Sequence, residues 1–119
     1  MAVSSSYRSF VEDQLRGLPG LLFRPMFGEL GVYADGLFFA LVADDVLYFK
    51  VDRLSKPRYL DAGSGGFQPI PGKGTMQYYE VPPGVLEDRE QLHAWAGIAL
   101  EVARRGRVRA KRKVKKSER

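Results

Sequence analysis

The run Leu37-Phe38-Phe39-Ala40-Leu41-Val42-Ala43 limits what this chain can fold into more than any other stretch. Asp35-Gly36 precedes it and Asp44-Asp45 follows it. Asp-Gly is favoured where a two-residue hairpin turn needs positive φ, so the run predicts the middle strand of an antiparallel meander. Leu30–Ala34 would be the strand before it and Val46–Val51 the strand after it. Strand side chains alternate between faces, which assigns Leu37, Phe39 and Leu41 to one side and Phe38, Ala40 and Val42 to the other. Both sets are apolar, and a strand apolar on both faces needs both of them covered.

Helical periodicity flanks the strands. Tyr7, Phe10, Val11, Leu15 and Leu18 share one face of a first helix, which Ser4, Ser5 or Ser6 can cap and which Gly17 and Pro19-Gly20 end. Ser55 to Ala62 predicts a short helix with Pro57 in its first turn. Residues 63–74 hold five glycines and two prolines, which predicts loop with a short edge strand near Phe67. A further strand follows from Thr75 or Met76 to Val81, stopped by Pro82-Pro83-Gly84. The last helix carries the stripe Leu92, Trp95, Ala96, Ala99, Leu100 and Ala103, with Asp88 and Gln91 placed as a capping box and Gly106 as its C-cap. The order α-β-β-β-α-β(-β)-α predicts an α+β fold, helices layered on an antiparallel sheet. At 119 residues there is room for one core.

Charge divides the chain in two. The net charge is +5. From Arg104 to Arg119 there are ten basic residues and one acid, a net of +9, so residues 1–103 carry −4. We therefore expect a domain over 1–105 and an unstructured basic tail over 106–119. Such a tail binds phosphate backbones by releasing counterions, without reading sequence. Its candidate nucleic-acid-binding residues are Arg107, Arg109, Lys111, Arg112, Lys113, Lys115 and Lys116. It holds no aromatic residue, so base stacking is not expected from it.

The inventory for catalysis is thin. There is no cysteine, which excludes disulfides, a thiol nucleophile and thiolate-bound zinc. The single histidine, His93, lies one step off the apolar stripe of the last helix. Gly72-Lys73-Gly74 lacks the Ser or Thr and the strand-to-helix context of a phosphate loop. No run is long enough to span a bilayer, and the N-terminus does not read as a signal peptide. These features predict a non-enzymatic cytoplasmic protein with no cofactor, no bound metal and no membrane contact.

The block Arg24-Pro25-Met26-Phe27-Gly28-Glu29-Leu30-Gly31-Val32-Tyr33, with Asp35-Gly36 and Phe38-Phe39-Ala40-Leu41-Val42, resembles the N-terminal domain of the TfoX/Sxy competence-regulator family. So do Leu47-Tyr48-Phe49-Lys50-Val51-Asp52, Tyr78-Tyr79-Glu80-Val81-Pro82 and Trp95-Ala96 with Ala99-Leu100, which together span about residues 8–105. The resemblance implies a two-layer, secretion-chaperone-like domain with helices on one face of the sheet. It implies regulation of bacterial competence genes, in which two-domain members resemble co-activators working with the cyclic-AMP receptor protein. It supplies no catalytic residues. Where those members carry a helical second domain, this chain has its basic segment.

Two functions follow as expectations. One is an accessory regulator with a protein partner, the transcription machinery being the candidate, and a tail on nucleic acid. The alternative is an interaction or chaperone-like module with no nucleic-acid role. For the latter, Phe38, Ala40 and Val42 (or their neighbours Leu37, Phe39 and Leu41), with Tyr48 and Lys50, would form an outward-facing interface and a homodimer through the sheet or its edge.

Overall fold

A computed structural model describes residues 3–117, and the side chains of residues 3–110. The elements are α1 (Ser5–Gln14), β1 (Leu22–Met26), β2 (Glu29–Ala34), β3 (Leu37–Ala43), β4 (Val46–Lys50), α2 (Lys56–Asp61), β5 (Tyr78–Glu80), α3 (Pro83–Leu86) and α4 (Arg89–Ser117). The strands form one antiparallel sheet in the order β1-β2-β3-β4-β5. The α+β class, the antiparallel sheet and the order of elements are those expected from the sequence.

Three two-residue turns build the meander. Asp35 and Gly36 have φ of 52° and 73°, and Asp44 and Asp45 have 50° and 57°. Both positions positive is the geometry that matches the right-handed twist of the flanking strands, and aspartate tolerates it better than most residues. The third turn, Phe27 and Gly28 at 49° and 81°, joins β1 to β2. Sequence patterning does not assign β1, because Pro25 and an exposed, irregular burial pattern blur its alternation. It survives as an edge strand, where a proline sacrifices no interior ladder bond.

The helices cover one face. Val11 and Leu15 of α1 and Leu92, Ala96, Ala99 and Ala103 of α4 share a buried cluster with Val32, Phe39, Val42, Leu47 and Phe49. Alanines at three of those four α4 positions let the helix axis approach the sheet closely. Ser4 caps α1 by accepting from the Tyr7 N–H, and the Ser4 N–H donates to Asp45 Oδ1 at 2.8 Å. At the other end of α1, Arg89 donates to the Asp13 carbonyl and His93 Nε2 donates to the Gln14 carbonyl, both at 3.0 Å. The lone histidine thus satisfies a helix-end carbonyl that would otherwise lack a partner.

The faces of β3 differ from strict alternation. Val32 pairs with Ala40 but Tyr33 pairs with Phe38, so Phe39 is an extra residue in β3. This bulge puts Leu37, Phe39, Ala40 and Val42 in the helix-side cluster and Phe38, Leu41 and Ala43 on the opposite side. A one-residue insertion reverses the facing of everything beyond it. Ala40 and Val42, expected to face outward, are therefore both 0% exposed in the core.

The opposite face is covered by the chain itself. Leu41, Ala43, Phe67 and Tyr78 are buried together, with Phe38 and Tyr48 against them. The loop from α2 brings Phe67 across: its N–H donates to the Tyr78 carbonyl at 2.7 Å, and the Glu80 N–H donates to the Gly65 carbonyl at 3.0 Å. The edge segment expected near Phe67 is this short pairing, a single bridge between Gly66 and Tyr79. The doubly apolar strand thus needs no second chain to cover it.

The last helix runs further than expected. Gly106 does not cap it: the backbone stays helical to Ser117, so residues 106–117 continue α4. One glycine weakens a helix without ending it, and no proline follows. Lysine and arginine are good helix formers, and cations near a helix C-terminus complement its dipole.

Candidate functional site

The features that could carry function lie where α4 passes the end of the sheet and continues beyond it. Among the described residues Ala103 is the last buried one of the helix. Past it, Arg104 pairs with Glu101 at 2.7 Å and lies 3.7 Å from Asp35 in the β2–β3 turn. Arg105 donates to Asp52 Oδ2 at 2.7 Å. These two pairs tie the helix to both the meander and the start of α2.

Asp52 is the anchor of that second contact. Its Oδ1 accepts from the Leu54 and Ser55 N–H groups at 3.0 and 2.9 Å, which fixes the turn into α2. Removal from water would raise its pKa, but the Arg105 guanidinium and these N–H donors outweigh that and hold it down at about 2.

Beyond the anchors come the residues expected to meet phosphate. Arg107 and Arg109 are exposed on α4. Two helical steps place them roughly 200° apart, on nearly opposite sides of the helix. Arg109 is beside Arg105, Asp52 and Arg53, whereas Arg107 borders a cleft with Tyr33, Phe38 and Lys50. Lys111, Arg112, Lys113, Lys115 and Lys116 continue the helical backbone, and their side chains lie outside the described residues.

The residues expected to form an interface separate. Phe38, Tyr48 and Lys50 share the face away from the helices, whereas Ala40 and Val42 do not reach it. Leu41 and Ala43, on that face, are buried beneath Phe67.

What the face does carry is a row of rings, of which Phe38 alone was expected to face outward from this part of the sheet. Tyr33 stacks on Phe38 with centroids 5.1 Å apart, and Phe38 meets Tyr78 at 5.6 Å. Lys50 Nζ lies 5.0 Å from the Tyr78 centroid and Arg24 Cζ 5.9 Å from that of Tyr33, both within cation–π range. The signal available in sequence was the recurrence of aromatic residues at outward positions of successive strands.

Among the described residues no three histidine or carboxylate groups converge as metal ligands, and no helix is long and apolar enough to cross a membrane. No curated protein matches the chain. A family model for the TfoX N-terminal domain matches residues 13–103, from the end of α1 through the whole sheet to the last buried residue of α4. The match leaves the basic continuation of α4 outside it. Covering most of the chain and all five strands, it shows that this protein belongs to the TfoX N-terminal domain family.

Proposed function

We propose that this is a non-enzymatic cytoplasmic regulatory domain that works through protein contacts, with the transcription machinery as the candidate partner, while its basic helical extension holds nucleic acid without sequence preference. The observation that carries this is the division of one helix. As far as Ala103, α4 packs an alanine-rich stripe on the sheet; beyond Arg105 it adds Arg107, Arg109 and five further cations with one acid after them. An acidic body repels the phosphate backbone, so affinity would reside in the extension. Fully exposed Phe27 at the β1–β2 turn, with exposed Leu54 and Ile70, supports contact with a protein.

The test compares duplex DNA binding by the full chain with that of a chain ending at Arg105, at matched salt. The shortened chain retains every described residue of the buried core and both helix-anchoring ion pairs, and it is expected to lose binding. Equal binding by the two forms would sink the reading.

A further inference from the structure

The cleft where α4 leaves the sheet contains cations that the neighbouring ion pairs do not use. Its volume is about 360 Å3, and its walls include Tyr33, Leu37, Phe38, Lys50, Gly106 and Arg107. Arg104 and Arg105 are spent on Glu101, Asp35 and Asp52. Among the described residues, no carboxylate lies within ion-pair distance of Arg107 or Lys50. Lys50 is half-buried, and withdrawal from water lowers its pKa. A partly desolvated cation without a counter-charge is a cost that an anionic ligand removes.

Two further observations shape the ligand. The stacked rings of Tyr33 and Phe38 give the cleft an aromatic wall beside the cations. Gly106 keeps the space open: it sits inside a helix, where glycine is unfavourable, yet a Cβ built on it would meet nothing within 4 Å. Packing therefore does not require glycine there. A pocket with an aromatic wall and two cations is suited to a ligand that joins an aromatic ring to a phosphate.

We propose that this cleft binds one nucleotide unit, its phosphate between Lys50 and Arg107 and its base against Tyr33 and Phe38. The unit can come from a single strand, whose bases are free to splay out, or from a free nucleotide. A duplex keeps its bases stacked and is held only by the basic extension. In its polymer form the proposal rests on the nucleic-acid reading above.

The experiment uses the full chain and two variants. Lys50→Met removes the charge and keeps the aliphatic stem; Gly106→Leu fills the space and leaves every charge in place. Thermal melts establish that both fold. Anisotropy with a labelled oligothymidylate and with a labelled duplex, and calorimetry with adenosine monophosphate, give the affinities. A single-strand source predicts that each variant weakens oligothymidylate binding about tenfold, with duplex binding unchanged. A free-nucleotide source predicts that both variants lose adenosine monophosphate instead. The proposal is overturned if neither ligand responds to either variant, or if only Lys50→Met has an effect, since Lys50 would then act as a surface charge. Should the full chain fail to bind duplex, the reading of the extension falls, and the mononucleotide measurement still decides the cleft.

Discussion

A Cβ on Gly31 would lie 2.7 Å from Met26 Cε and 3.2 Å from Phe38 Cε1. Gly31 faces Arg24 on β1 and Leu41 on β3, so its missing side chain makes room for its neighbours'. The methionine methyl is the end of a flexible chain and can move; the phenyl ring is stacked on Tyr33 and cannot move far. Gly31→Ala is therefore expected to cost about 1 kcal/mol, and the bulkier Gly31→Val about 2–3 kcal/mol. Combined with Met26→Ala, Gly31→Ala should recover part of its loss, a non-additivity measurable by chemical denaturation of the four proteins in the cycle. Strictly additive losses would show that the contact does not exist. Close approach at Gly31 was legible in the sequence as a glycine in a strand. Its closest partner was not, because Met26 reaches that side only through the pairing of β1 with β2, and β1 has no clear strand pattern of its own.

The elements divide into those whose own sequence states their geometry and those defined by a distant partner. α1, the Asp35-Gly36 hairpin and the stripe of α4 belong to the first group, because cap, turn and periodicity are local. β1 belongs to the second, since an irregular, proline-containing segment becomes a strand only when β2 pairs with it. The path of α4 past Gly106 belongs there too, in part: Asp52, more than fifty residues earlier, holds Arg105 at 2.7 Å. That pair makes stability depend on acid. The Asp52 pKa is about 2 in the folded protein and near 4 in an unfolded chain, so its stabilisation is complete above about pH 4 and is lost as pH falls towards 2. Arg105 is about half exposed, so water screens the pair and its worth is about 1 kcal/mol. Melting curves of the native protein and Asp52→Asn should therefore differ at pH 6 and converge near pH 2. A constant difference across that range would remove the carboxylate charge from the account.

On the scale of the whole molecule, fold and charge occupy different stretches of chain, which allows them to be tested separately. Among the described residues the last buried one is Ala103, and all seven cations assigned to nucleic acid follow it in sequence. Their removal should not disturb the core. Each phosphate neutralised by a bound cation steepens the dependence of log affinity on log salt by about 0.9 on duplex DNA. Replacing Lys113, Lys115 and Lys116 by glutamine should then flatten that slope by as much as about 2.7, with the melting temperature within about 1 °C of the native value. A change in melting temperature with no change in slope would mean that the extension stabilises the domain and does not touch phosphate. A flatter slope at constant stability supports the opposite arrangement: duplex phosphates held by the extension, on a helix that spends its first turns on the core and its last turns on the ligand.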